Sequence, residues 1–181
     1  LDVTGTYIET GHDVDPAQPD ADVTYNGAVD NATGVPGVLE VAEAFATQAQ
    51  KPERSLVFLA VTLEESGLLG SQYYVAHPVV PLDKTVAVFN IDAMSVYGRS
   101  HDYTVVGMGS SELEDMLKKV ADTQGRTLHE EAHPEAGGYF RSDHFNFAKA
   151  GVPALYVDGG VDLVGGGKAG RDAAARPHNR E

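Results

Sequence analysis

An α/β fold with a largely parallel sheet covered by helices on both faces is predicted by three observations. Short apolar runs read as buried strands, helical patterns lie between several of them, and a length of 181 residues suits one domain of that kind. The runs are Leu56–Thr62, Val86–Asp92, Tyr103–Met108 and Pro153–Asp158, with a weaker one at Thr6–Thr10. The first helix is expected over Val35–Gln50. Val38, Leu39, Ala42, Phe45 and Ala46 fall on one of its faces, and Pro36 stands near its start, where a missing N–H costs little. A second is expected after Ser111, which forms a capping box with Glu114 ahead of Leu113, Met116, Leu117 and Val120, and Gly125 closes it. There is no internal repeat and no linker long enough to split the chain, so residues 1–181 read as a single domain. The loop Asp13–Asn26 and the Gly-, Ala- and Arg-rich tail over 159–181 are expected to be irregular.

Composition narrows the chemistry. A chain of this size buries most of the apolar surface its unfolded form exposes and needs no covalent staples. Cysteine is absent, so any metal must be held by His, Asp and Glu, which favours zinc, manganese or calcium over iron–sulfur or redox chemistry. Lys and Arg total 13 against 27 Asp and Glu, a formal charge of −14 that repels phosphate backbones and anionic lipid heads. Neither a nucleic acid nor a membrane surface is therefore expected as partner. No apolar run approaches the roughly 20 residues of a membrane span. Leu1-Asp2-Val3-Thr4 lacks the basic and apolar regions of a signal peptide, so a mature or trimmed soluble chain is expected. Its cysteine-free composition suits the cytoplasm as well as the outside, and a periplasmic or extracellular, secreted location is the expectation.

Ligands of open α/β sheets bind beyond the carboxyl ends of the strands. Here those ends carry metal-capable side chains: His12-Asp13, Glu64-Glu65 and Asp92, with Asp30 in the turn Asn26–Asn31 that opens the first long helix. Two adjacent carboxylates directly after an apolar run repel one another near a low-dielectric core unless cations offset them. Neighbouring strand residues point to opposite faces, so both acids reach one cleft only if the chain turns, as Ser66-Gly67 allows. One can then bind metal while the other acts as a base; a helix N-terminus that favours acids is the alternative. Asp30 reads either as a helix cap or as a carboxylate bridging two cations, and Asp92 either as a turn cap or as a ligand. Of the seven histidines, His77, His101, His129 and His133 read as non-ligands. His12 reads as a ligand, and His144, within Arg141–Phe145, as a group that orients others by hydrogen bonds.

Read together, Tyr25-Asn26-Gly27-Ala28-Val29-Asp30-Asn31-Ala32-Thr33-Gly34, Thr62-Leu63-Glu64-Glu65-Ser66-Gly67-Leu68-Leu69-Gly70-Ser71, Asn90-Ile91-Asp92 and Arg141-Ser142-Asp143-His144 resemble the M28 family of zinc aminopeptidases in order and rough spacing. The resemblance implies a mixed, mostly parallel sheet flanked by helices, and a metallo-exopeptidase that acts on peptides with a free N-terminus through two zinc ions. It implies Asp30 as the bridging ligand, Glu65 and Asp92 each on one zinc, and Glu64 as the general base. It departs from the family at two places. His12 is followed at once by Asp13, where the family places the Asp two positions on. The family's last ligand, a His after an Arg-Tyr pair, is matched only by Arg176-Pro177-His178. His12 and His178 complete the expected metal set. The family's catalytic domain is usually longer, with strands before the first His motif that this chain is expected to lack. A pseudo-peptidase that binds without catalysis and a mono-zinc enzyme resembling glutaminyl cyclases are the alternative readings.

Overall fold

The structure is a computed structural model that describes residues 7–8, 24–25, 27 and 29–175. It divides into two units, residues 1–60 with Asp92–Met94 and residues 61–91 with 95–181. Among the described residues no helix is long and apolar enough to cross a membrane.

In the first unit, strands β1 (Tyr7–Ile8), within the run expected at Thr6–Thr10, and β2 (Thr24–Tyr25), in the segment expected to be irregular, pair antiparallel. Helix α1 (Gly34–Thr47) matches the expected amphipathic stretch and ends three residues earlier than Gln50. Lys51 donates to the carbonyl of Ala46 at 2.6 Å, a cation at the negative end of the helix. The run Leu56–Thr62 is not a strand. It straddles the boundary between the units at Ala60, and Leu56 and Phe58 instead line an open groove with Ala42, Phe45 and Ala46 of α1. An apolar run becomes a strand only where a neighbour takes its backbone hydrogen bonds.

The second unit is built on four strands, β3 (Val88–Asn90), β4 (Asp102–Val106), β5 (Thr127–Glu130) and β6 (Ala154–Gly159), in the order β3-β6-β4-β5. The outer pairs are parallel and the central pair, β6 with β4, is antiparallel, so the sheet is mixed. Alternation along β6 assigns the faces. Leu155 and Val157 meet α3 (Leu113–Thr123) through Leu113 and Leu117, with Val105 and Leu128 completing the core. Tyr156 points the other way, against His144 of α4 (His144–Lys149), so helices cover both faces. Helix α2 (Leu69–Ala76) packs on α4, with the Tyr74 and Phe147 rings 5.6 Å apart.

Half of the expected capping box at Ser111 forms, Glu114 reaching back to the Ser111 N–H, while the hydroxyl takes the N–H of Leu113 in place of that of Glu114. Ser111 Oγ accepts the N–H of Leu113 at 3.2 Å and Glu114 accepts that of Ser111 at 3.3 Å, while Gly125 turns left-handed at φ 66° just past the helix. The segment expected as an irregular tail holds the end of β6 and a further helix, α5 (Gly167–Ala175). Buried Leu163 accepts the N–H of Gly167 at 2.7 Å, and alanines at 169 and 173 favour the helix that glycine weakens.

One buried carboxylate ties the loop after β6 to the sheet. Asp102, 1% exposed, accepts the N–H groups of Val161 and Asp162, each at 2.9 Å, and the Nε2–H of His129 at 2.6 Å. Asp102→Ala removes the buried acceptor those three donors share. It should lower stability by about 3 kcal/mol and the Tm by roughly 6–12 °C; thermal unfolding followed by circular dichroism measures both.

Candidate active site

The two adjacent acids lie in a tight turn between the apolar run and α2. The residues on either side, Leu63 and Leu68, have φ of 58° and 61°, left-handed values that side-chain-bearing residues avoid. Glu64's carbonyl accepts the N–H groups of Gly67 and Leu68 at 3.0 and 2.8 Å, and Leu63's carbonyl that of Leu69 at 3.1 Å. Glu64 is half-buried and Glu65 exposed, so the turn places neighbouring carboxylates in different surroundings. Each left-handed leucine costs roughly 1–2 kcal/mol. What opposes that cost at Leu68 is its carbonyl, which accepts from Gln72 N–H, Ser71 Oγ and Asn146 Nδ2 at 3.0, 3.1 and 3.1 Å. At about 1 kcal/mol each, three such bonds outweigh the strain. Sequence reading missed Asn146 and Ser71, since nothing marks a polar residue on a short helix as inward-facing.

Asp30 and Asp92 belong to the first unit, Glu64 and Glu65 to the second. Beside Asp30, Asn31 Oδ1 accepts the N–H of Gly34 at 2.8 Å, at the start of α1. The Asp30–Asn31 peptide bond is cis. A Cβ at Gly34 would collide with the Asp92 carbonyl, and Thr33 Oγ1 accepts the N–H of Met94 at 2.7 Å. The helix start carrying the Asp30 turn is thus packed directly on the Asp92 segment. Asp92, half-buried, accepts the N–H of Ala93 at 2.9 Å.

In the second unit, the segment from Gly138 to His144 crosses one sheet face along a register row. Asn90 and Val106 both stand opposite Tyr156. Asn90 Nδ2 donates to buried Ser142 Oγ at 2.7 Å, His144 lies 5.1 Å from the Tyr156 ring, and a Cβ at Gly138 would touch Val106. His144 is wholly buried and meets the Tyr139 ring edge-on at 4.8 Å. Tyr139, Phe140 and Phe145 form a cluster of edge-on rings, with Phe140 exposed. Tyr139 is seated on Gly107, where any Cβ would strike its ring, and Glu131 accepts the N–H of Gly107 at 3.1 Å.

Among the histidines read as non-ligands, His129 is engaged by Asp102, His133 bonds Glu135 at 3.1 Å, and His77 stacks on Tyr73. The Glu135 carboxyl is held below the usual range by its backbone hydrogen bond first and by His133 second. His12 and His178 lie outside the described residues. No group of three or more His, Asp or Glu forms a metal cage among the described residues. The donor set nonetheless fits zinc in kind. Asp30, Glu65 and Asp92 offer carboxylate oxygens, and two of the three sit on segments packed together.

Solved structures share this fold. The LapA aminopeptidase of Legionella pneumophila superposes with a TM-score of 0.61 at 23% identity, over 76% of this chain and 38% of that one. An aminopeptidase from Aneurinibacillus sp. strain AM-1 gives 0.59 at 24%, over 74% and 31%. The peptidase family M28 model matches residues 5–181, and the chain belongs to that family. Leucine aminopeptidase 2 of Trichophyton equinum is 32% identical over 148 residues, covering 76% of this chain and 28% of the relative. Leupeptin-inactivating enzyme 1 of Streptomyces exfoliatus is 31% identical over 139 residues, covering 76% and 30%. The chain thus spans less than a third of the length of these curated relatives.

The acidic turn also depends on Gly70, because a Cβ there would collide with the backbone of Thr62. Gly70→Ala should push α2 off the Thr62 segment and cost about 2–3 kcal/mol, read as a lower urea midpoint with an unchanged slope.

Proposed function

We propose that this protein is a secreted aminopeptidase that removes residues one at a time from the free N-termini of peptides, with Glu64 as general base. We further propose that His12, Asp30, Glu65, Asp92 and His178 hold two zinc ions, Asp30 bridging them. The observation that carries this reading is the acidic turn: adjacent carboxylates in unlike surroundings, flanked by two left-handed leucines, in a member of the M28 family. Strain of this kind persists only where surrounding contacts over-determine it, and it clusters at working sites.

The chemistry that bound zinc supplies is polarisation of the scissile carbonyl and a lowered pKa for the attacking water. Glu64 takes the proton from that water and returns it to the departing amine, so one carboxylate serves both halves of the reaction. It is half-buried, set apart from bulk solvent more than its neighbour. Glu65, one residue on and exposed, serves as a ligand. The carboxylates draw the cationic N-terminus of the substrate, which fits removal of a single residue over internal cleavage. An apolar first residue such as leucine fits exposed Phe140 beside Tyr139 and Phe145, and fits the relatives named leucine aminopeptidases.

Metal analysis by mass spectrometry, together with turnover of leucine anilide, tests the reading. Two zinc ions per chain with turnover is expected; a metal-free, inactive wild type sinks it. Glu64→Gln should lower kcat by about 10²–10⁴-fold with metal content nearly unchanged, and loss of zinc along with activity would reverse the roles of the two glutamates. Asp30→Asn should lower the occupancy of both ions together, measured by zinc titration; loss of only one would show that the carboxylate does not bridge.

A further inference from the structure

We propose that Asn146 is a positioning residue for the acidic turn: its amide holds the Leu68 carbonyl, and Leu68 in turn fixes the backbone of Glu64. The functional half of this proposal rests on Glu64 acting as the base.

Asn146 sits in α4, 5% exposed, beside Phe147 and facing α2. A buried amide is a poor filler for a helix contact otherwise made by Phe147 and Tyr74, since an apolar side chain would need no partners there. Its NH2 group is directed at two acceptors, the Leu68 carbonyl at 3.1 Å and Ser71 Oγ at 2.8 Å. Ser71 is wholly buried and passes its own hydrogen to the same carbonyl at 3.1 Å. Asn146 therefore reaches Leu68 twice, directly and through Ser71.

Leu68 is where that hold matters. Its N–H donates to the carbonyl of Glu64 at 2.8 Å while its C=O takes the bonds just described, at a φ of 61°. If Leu68 relaxes toward an ordinary backbone conformation, its N–H and C=O rotate, and the bond that closes the turn on Glu64 opens. Glycine adopts the left-handed conformation without penalty, so a glycine at 68 has less need of the hold.

Four variants and three readouts test this. In Asn146→Ala, amide hydrogen exchange at Gly67 and Leu68 should rise at least about tenfold relative to the amides of β4, because the local turn opens without global unfolding. Turnover of leucine anilide should fall roughly 10–100-fold in kcat, the scale for a displaced catalytic group, with KM within about twofold. Leu117→Ala, which removes packing from the α3 side of the sheet, should lower Tm and leave kcat at the wild-type value. Leu68→Gly placed in the Asn146→Ala background should recover most of the lost kcat even though it restores no packing. Asn146→Ser leaves a polar group too short to reach Leu68 and gives the same readings where the alanine variant folds poorly. Exchange at Gly67 and Leu68 that moves only in step with β4 overturns the hold. Raised exchange with wild-type kcat overturns the claim that the hold aims Glu64. An inactive wild type would sink the peptidase reading by itself, and the exchange ratio would still decide whether Asn146 holds the turn.

Discussion

Two adjacent carboxylates at the end of an apolar run cannot both continue inward, because each charge loses its water and neither finds relief in the other. The chain turns at Glu64, and a small set of residues in the second unit closes that turn. Leu63 and Leu68 take up left-handed conformations to close the loop, Gly70 lets α2 press on the Thr62 backbone, and α4 brings up Asn146 to hold the Leu68 carbonyl. A run that simply continued into α2 would need no left-handed leucine and no buried amide.

Helix α4 can reach the turn because the sheet gives it a firm seat. Its first residue, His144, lies against Tyr156, and the preceding Ser142 is bonded to Asn90 at the carboxyl end of β3. Tyr156 stands opposite both Asn90 and Val106, so the segment from Gly138 to His144 is fixed across three strands at once. The antiparallel pairing of β4 with β6 matters here. It brings the start of β4 to the end of the sheet where β6 finishes, and Asp102 can gather the loop that leaves β6. The seat at Tyr156 and Asn90 lets a helix of six residues position a side chain on its far side.

Much of the fold was legible in the pattern of the chain. Helices α1 and α3 follow from apolar spacing and from the Ser111–Glu114 pair, β3 falls inside its predicted run, and β4 and β6 overlap theirs with one end a residue outside, because period and capping are local properties. Pairing is not local, and the misreadings lie there. The run at Leu56–Thr62 has the composition of a buried strand but makes no ladder, and the antiparallel centre of the sheet is not written in any one segment. The tail misread for a similar reason: glycine-rich composition hid a helix that Leu163 starts by a contact outside it. At the site, the acids and the need for a turn were visible, since charge beside an apolar run is a conflict the sequence displays. Asn146 was not, because on a helix of six residues polarity says nothing about which neighbour the residue faces.

The acidity of the whole chain and the acidity of the turn are separate matters. Asp30, Glu64, Glu65 and Asp92 account for four of the 27 Asp and Glu residues, so the formal charge of −14 is set mainly elsewhere. At physiological salt a charge is screened beyond about 8 Å, so distant carboxylates contribute a diffuse field and no discrimination at the turn. That field still has a sign. It lowers the approach rate of anionic partners and raises that of cationic ones, which for a peptide means the end bearing a free amine. Under the proposed peptidase reading, selection of one end over the other has two sources with different salt dependence. The field is weakened by added salt, whereas contacts made by a half-buried group such as Glu64 are screened much less. A local arrangement that works at any ionic strength must therefore be built into the backbone, and a turn held at Leu68 by three hydrogen-bond donors is such an arrangement.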